Sequence, residues 1–327
     1  MKDHKKPRTL QDAIKYFADP DNALRYMVGL RWPDRKVACP TCGRQDPVFL
    51  ENQRKWQCKS VHAKRQFSAK VGTIFEDSPI PLDKWLTAVW MLVNCRNGVS
   101  SYEVARTIGV TQKSAWFMLH RIRLAMQNKS FARKLGGNGG GCEADETFIG
   151  PHAWNVHERK RQGKVGIGQK AIVVGVLERG GEVRAHVVET RKRHNIHEIV
   201  KQHVTPGSAL YTDKLLSYKG LESFFTHETV DHALGYVRGQ VHTNGLENFW
   251  SLLKRGLGGT YVNVEPFHLF RYLDEQVFWY NNRKDAAKRP VPDSVRFDAA
   301  LSNIVGRRLT YAELTGKTGA TQPTAAN

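Results

Sequence analysis

A chain of 327 residues is long enough for two or more domains with a substantial core. It carries 50 Lys and Arg against 31 Asp and Glu, a formal charge of +19, which points to a polyanionic partner, most often nucleic acid. No apolar run approaches the roughly 18–20 residues of a membrane span, so no membrane partner is expected. The first ten residues are charged with no apolar stretch behind them and do not read as a secretory signal. Five cysteines, two of them in a CxxC, suit a reducing compartment and a metal site better than a disulfide framework.

The charge is uneven. Residues 1–134 hold 25 basic and 11 acidic side chains, and the remainder holds 25 and 20. The first part therefore reads as the main electrostatic footprint, and the second keeps its acids for another purpose.

Residues 1–34 read as an N-terminal helical segment around Leu10, Ile14, Phe17, Leu24, Tyr26 and Met27. Asp19-Pro20-Asp21 interrupts it, because proline disfavours helix at the residue before it. Residues 35–75 follow as a zinc ribbon. Cys39 and Cys42 form a CPxCG knuckle, Cys58 comes after a fifteen-residue gap, and His62 lies four further on. Two close pairs separated by a hairpin-sized gap fit a tetrahedral Cys3His zinc site. VFL and KWQC read as the flanking strands, and bound Zn²⁺ would supply the stability that so small a module lacks.

Residues 80–130 look helical throughout. LDKWLTAVWMLVNC is a strongly apolar helix; SSYEVARTIG, a break at Val110-Thr111 and QKSAWFMLHRIRLAMQ then read as a DNA-binding helix-turn-helix. The second helix of such a unit enters the major groove through its first residues, here Thr111, Gln112, Lys113 and Ser114, with Arg121 further along. Five of the six residues 136–141 are glycine, so residues 131–141 read as a linker.

Beyond it the pattern becomes α/β, and residues 142–290 are expected to form one catalytic core. CEADETFIG is a strand, residues 151–168 a basic loop, and AIVVGVLERG and EVRAHVVET two strands joined at Gly180-Gly181. RHNIHEIVKQHV is a helix, SALYTD a strand, LLSYKGLESF a helix and FTHETVDH a short strand. In HTNGLENFWSLLKRGLGGTY, residues Leu246, Phe249, Trp250, Leu253 and Leu257 recur at helical spacing, with Glu247 in the same stripe. Thr243 or Asn244 is expected to cap this helix and Gly256, Gly258 and Gly259 to end it. FHLFRYLDEQVFWYNNR is a last aromatic-rich helix of the core. Residues 291–327 read as a C-terminal extension whose tail, TGKTGATQPTAAN, has the composition of a disordered segment.

Three acids fall where a mixed sheet would bring them together: Asp145 in the first core strand, Asp213 ending the fourth, and Glu247 in the helix after the fifth. Alternation places Glu143 on the face of Asp145 and Glu146 on the other. Clustered carboxylates repel one another unless divalent cations neutralise them, and Mg²⁺, or Mn²⁺, prefers oxygen ligands. Two such ions about 4 Å apart suit in-line phosphoryl displacement. Lys254, two turns after Glu247, is expected to meet a DNA phosphate, with Arg255 beside it. His242 is a candidate for the region of the scissile phosphate.

CPTCG with its downstream Cys and His, QFSAKVGTIFEDSPIPLDKW, the helix-turn-helix, EADETFIG, YTDKLLSYKGL and HTNGLENFWSLLKRGLGGTY together span most of residues 35–285. On these motifs the chain resembles bacterial insertion-sequence transposases of the DDE superfamily, in the ISXO-like subgroup with an N-terminal zinc ribbon. The resemblance implies a multidomain α+β protein: a ribbon, a helix-turn-helix segment, and an RNase H-like mixed-sheet catalytic core. It implies metal-dependent cleavage at the terminal inverted repeats of the element and transfer of the 3′-hydroxyl into target DNA. A homodimer or larger assembly on DNA, in the bacterial cytoplasm and at the nucleoid, follows from the same resemblance. By motif, Asp145 and Asp213 match the two aspartates, Glu247 the third acid and Lys254 the basic residue after it. Asn244, one turn earlier, is the alternative third residue, since some relatives carry Asn there. A non-catalytic DNA-binding regulator and a nuclease on the same core are the competing readings.

Overall fold

The computed structural model describes residues 7–127, 133–137, 139–150, 170–230, 242–262 and 264–317. The chain divides into two compact units, one drawn from Met1–Gln127 and Lys284–Thr321, the other from Asn128–Arg283.

In the first unit the opening segment is two helices. Helix α1 (Leu10–Phe17) starts in a capping box between Thr9 and Asp12. Helix α2 (Pro20–Arg31) has Asp19 accepting from the backbone N–H of Asp21, and Pro20 at the first helical position, where its missing N–H costs nothing. The ribbon follows as three antiparallel strands, β1 (Val48–Leu50), β2 (Lys55–Gln57) and β3 (Gln66–Phe67). Trp56 is the ribbon's small core; its ring lies 5.1 Å from Phe49, 5.9 Å from Phe67 and 5.8 Å from Trp32. Helix α3 (Leu82–Asn94) is buried on most of its circumference, as its almost unbroken apolar sequence requires. Helix α4 (Ser101–Ile108) ends at Gly109 in the left-handed region (φ +63°), and Thr111 caps helix α5 (Gln112–Met126), so the helix-turn-helix forms as read.

The stretch expected to be an extension is part of this unit. The helix Asp293–Leu301 packs on α3, with Phe297 4.9 Å from the Trp90 ring and 5.8 Å from Phe17. Arg296 donates to Asn94 Oδ1 at 3.0 Å, and Arg307 to the Gln127 carbonyl at 3.0 Å. Two main-chain bonds, Ile74 N–H to the Ile304 carbonyl (3.2 Å) and Gly306 N–H to the Gly72 carbonyl (2.9 Å), tie the same segment to the turn after the ribbon. The last ten residues of the expected disordered tail lie outside the described residues.

The second unit is built on a five-stranded mixed sheet in the order β6-β5-β4-β7-β8. Strands β4 (Cys142–Ile149), β5 (Ala171–Glu178) and β6 (Val183–Val188) run antiparallel. Strand β7 (Ala209–Asp213) pairs parallel to β4, and β8 (Thr226–Val230) parallel to β7. This is the mixed α/β core expected for an RNase H-like fold. Residue alternation splits β5 between two hydrophobic cores. Val174 and Val176 join the core under helix α6 (Arg193–His203), with Ile196, Val200 and Leu210. Val173 and Leu177 join the other, under helices α7 (Asn244–Gly256) and α8 (Leu269–Asn281).

The local expectations fail at three places here. LLSYKGLESF forms two 3₁₀ turns, Leu216–Tyr218 and Leu221–Ser223, because Gly220 takes φ +94° between them. The glycines after α7 do not stop it; residues Leu257–Tyr261 continue as a π turn, which ends at Val262. Residues 133–137 of the expected linker belong to the core: Leu135 is buried and hydrogen-bonds to both sides of Val204, and Gly136 N–H donates to Glu178 at 2.8 Å. The basic loop 151–168 lies outside the described residues.

Phe297→Ala should destabilise the first unit by about 3–5 kcal/mol, because it leaves a cavity between α1 and α3. In thermal unfolding, the transition of the first unit should move down while that of the sheet unit stays in place; a shared shift would contradict the assignment.

Candidate active site

Strand β4 presents acids to both faces of the sheet. Its parallel pairing with β7 covers only Cys142 with Leu210 and Glu143 with Tyr211. Asp145, Glu146 and Asp213 lie just past the point where that pairing stops, and one carboxylate oxygen from each falls within 4.8 Å of the others. Asp213 is oriented by its own turn, since Oδ1 accepts from the Leu215 N–H at 3.0 Å. Glu146 Oε2 accepts from the buried Tyr218 hydroxyl at 2.9 Å. Asp145 Oδ2 accepts from the indole N–H of Trp250 at 2.8 Å. That indole lies against Gly175, the partner of Asp145 across the β4–β5 pair, where a Cβ would come within 2.7 Å of the ring.

Burial first, then the neighbouring Asp213 and Glu247, push the Asp145 carboxyl up to about 6; the Trp250 bond acts in the opposite direction. Glu146 rises to about 7, again through burial first and then through Asp213 and Asp145, with Arg191 opposing. The three half-buried carboxyls form an oxygen donor set suited to Mg²⁺ or Mn²⁺, which would supply the missing positive charge. Glu146 is the third member of the tight cluster. Glu247, expected within the apolar stripe of α7, instead lies outside it. Glu247 and Asn244 are both exposed. The Thr243 hydroxyl donates to Glu247 at 3.3 Å, and the carboxylate is near enough to act on Asp145. Lys254 and Arg255 are exposed on the same helix.

The start of α7 is held by a residue with no role in the sequence reading. Thr243 makes no side-chain cap. Instead Glu143, 1 % exposed, accepts from the Leu246 N–H at 3.0 Å and from Arg179 Nε at 3.0 Å. His242 Nδ1 lies 3.3 Å from the same carboxylate, and Arg179 also donates to the His242 carbonyl at 2.6 Å. His242, half-buried, therefore sits beside the buried Glu143–Arg179 pair at the start of α7. The signal available in the sequence was the alternation that places Glu143 two residues before Asp145 on one face.

The ribbon gathers its four ligands. Cys39 Sγ lies 3.5 Å from His62 Nε2 and Cys42 Sγ 3.5 Å from Cys58 Sγ, with all four atoms within 4.8 Å of one another. A tetrahedron of bonds about 2.3 Å long sets sulfurs about 3.8 Å apart, so the set fits Zn²⁺. A backbone hydrogen bond at Arg44 lowers the Cys42 thiol, which favours the thiolate that a metal needs.

In the helix-turn-helix, Thr111 and Lys113 are exposed. Ser114 accepts from the Thr111 hydroxyl that caps its own helix at 2.9 Å, and Gln112 donates to Ser101 at 2.8 Å, which ties α5 to α4. Arg121 corrects an expectation. It is 3 % exposed, donates to the Glu76 carbonyl at 2.5 Å and lies over the Trp85 and Phe117 rings; it is an internal brace rather than a DNA contact.

Because Asp145 and Glu146 hold protons that the unfolded chain releases above about pH 4, the metal-free sheet unit should lose stability as pH rises from about 4 to 7. Metal binding requires those protons to leave, so Mn²⁺ affinity by calorimetry should rise over the same upper range. Trp250→Phe removes the bond that lowers Asp145; a several-fold affinity loss near pH 6.5 that narrows by pH 8 is expected, and a pH-independent loss would contradict this role. Glu143→Ala removes the carboxylate that faces the half-buried Arg179 and accepts from the Leu246 N–H, and should cost about 3 kcal/mol in chemical denaturation.

Residues 137–281 match the ISXO2-like transposase domain, and residues 19–63 match the transposase zinc-ribbon domain. An uncharacterized protein in transposable element ISH50 of Halobacterium salinarum is 26% identical over 300 residues, 86% of this chain and 97% of that one. An uncharacterized transposase-like protein of Haemophilus influenzae is 33% identical over 85 residues, 26% of this chain and 68% of that one. Among the described residues no helix is long and apolar enough to cross a membrane. The mixed sheet, the carboxylates past its parallel pair and the Cys3His ribbon thus sit on matched sequence, and the chain belongs to the ISXO2-like transposase family with an N-terminal zinc ribbon.

Proposed function

We propose that this transposase works by the DDE mechanism: it binds the terminal inverted repeats of its insertion sequence, cuts there, and joins the freed 3′-hydroxyl to target DNA. The observation that supports this most is the convergence of Asp145, Glu146 and Asp213 beside the sheet, with two of the three carboxyls raised by burial and mutual repulsion. Asp145 and Asp213 would hold the divalent ions, with Glu247 on the first turns of α7 as the outer acid and Glu146 beside them. Mg²⁺ or Mn²⁺ bound there supplies charge that activates the attacking oxygen and stabilises the leaving one. The chain's own part is positional. Trp250 orients Asp145, Tyr218 orients Glu146, and the Asp213 turn aims the third carboxylate. Lys254 would contact a phosphate as a point charge. Zn²⁺ on Cys39, Cys42, Cys58 and His62 would hold the ribbon for DNA binding, together with Thr111, Gln112, Lys113 and Ser114. A dimer or larger assembly on DNA would bring two ends together.

The test is joining of labelled repeat ends to a supercoiled plasmid with Mg²⁺ or Mn²⁺. Asp213→Asn should cut joining by roughly 10²–10³-fold, as for loss of a principal transition-state charge group, while end binding persists. Glu247→Gln and Glu146→Gln separate the two candidates for third acid, the essential one losing joining to the same degree. Wild-type nicking without joining would mean a nuclease, and binding without cutting a regulator.

A further inference from the structure

The sheet unit carries a row of cations that neither the carboxylate site nor the helix-turn-helix uses. Helix α6 is entered through Arg191-Lys192-Arg193-His194, all exposed, and Lys201 follows two turns after Arg193. Arg193, His197 and Lys201 are spaced by four and lie along one side; at about 1.5 Å of rise per residue the row is about 12 Å long. Lys192, Arg193, His194, His197, Glu198 and Lys201 line a shallow concavity of about 730 Å³, with a single carboxylate among them.

Neighbouring residues seat these cations. Arg193 passes over Gly220, where any Cβ would overlap the guanidinium. Lys201 Nζ stands 3.5 Å above the Phe224 ring, a cation–π contact with a half-exposed aromatic. Lys134 donates to the Lys201 carbonyl at 2.7 Å, which adds a further positive charge at that end. The imidazole of His197 is lowered by burial first and then by the charges of Arg193 and Lys201 beside it. At the other end, Ser217 Oγ donates to the Arg191 carbonyl at 2.8 Å, and the Arg191 charge acts on Glu146. The row therefore starts beside the carboxylate cluster and leads away from it.

A small anion would call for an enclosed pocket with converging donors. An open row of cations fits the repeating charge of a polymer instead, and duplex DNA carries one phosphate charge per roughly 1.7 Å of axis. We propose that Arg191, Lys192, Arg193 and Lys201 form a phosphate-tracking surface that carries duplex DNA to the carboxylate site. Only the identity of that duplex, element end or target, rests on the transposase reading.

The experiment measures binding of full-length protein to two duplexes of equal length, the flanking repeat and an unrelated sequence, across a salt series without divalent metal. The variants are Lys192→Gln/Arg193→Gln/Lys201→Gln, each single change, and the charge-keeping Lys192→Arg/Arg193→Lys/Lys201→Arg. Each lost contact should flatten the slope of log affinity against log salt by about 0.9, so by close to 3 in the triple neutral variant. The charge-keeping variant should retain the wild-type slope. Mn²⁺ affinity at the carboxylates reports that the fold is intact. A loss confined to the repeat makes the element end the occupant, a loss confined to the unrelated duplex makes it target DNA, and a loss on both makes the surface general. Unchanged slopes on both duplexes in the triple variant, or in the singles should the triple fail to fold, would overturn the proposal. Failure of strand transfer in the wild type would count against the DDE reading alone, because these slopes do not require catalysis.

Discussion

The buried Glu143 carboxylate is the contact on which the sheet unit's geometry depends. A carboxylate with 1 % exposure is unfavourable unless it is met by donors, and here it is met by Arg179 and by the Leu246 N–H of α7, with His242 Nδ1 3.3 Å away. The helix terminus is itself electropositive, so the carboxylate serves as an internal cap as well as an ion-pair partner. Gly245 makes the approach possible, since a Cβ there would fall 2.7 Å from the Glu143 oxygen. With the start of α7 fixed to β4, the helix lies down on the sheet at a set angle. Trp250 then reaches Asp145, and the turn carrying Glu247 faces the same region.

The same strand therefore handles opposite electrostatics two residues apart. Glu143 is neutralised within the chain; Asp145 and Glu146 are left to repel one another and Asp213. A cluster of unmet acids weakens the fold that holds it, and the core packed on either face of β5 carries that load. Rigid backing matters here, because a donor set that relaxed to separate its charges would no longer present converging oxygens.

Much of this was legible in the sequence because the family motifs carry their own geometry. The CPxCG spacing, the helix-turn-helix break and the order of strands each follow from local rules of ligand spacing, capping and alternation. The misreadings come from tertiary context. Glu146 points to the opposite face by alternation, yet it joins Asp213 because the β4–β7 pairing ends at Glu143, and strand length was not readable. Arg121 looked like a surface cation because burial of an arginine needs a carbonyl from sequence 45 residues away. Glycine content alone marked residues 131–141 as a tether, though one apolar side chain, Leu135, was enough to pull part of it into the core. Glu143 was placed on the face of Asp145 but given no role of its own, because a buried acid looks like any other until its cation, 36 residues later, is placed beside it.

The return of residues 284–317 to the first unit changes the order in which the protein can be completed. The ribbon and helix-turn-helix occupy the first 127 residues, but Phe297, Ile304 and Arg307 fill or brace their support. During synthesis, the whole sheet unit is made before that support is finished. A nascent chain would thus complete its ribbon and helix-turn-helix unit only once the carboxylate cluster had been translated. The sheet unit is spliced between two parts of its neighbour and tethered at both of its ends, so cutting the chain before residue 284 would remove part of the ribbon and helix-turn-helix unit as well.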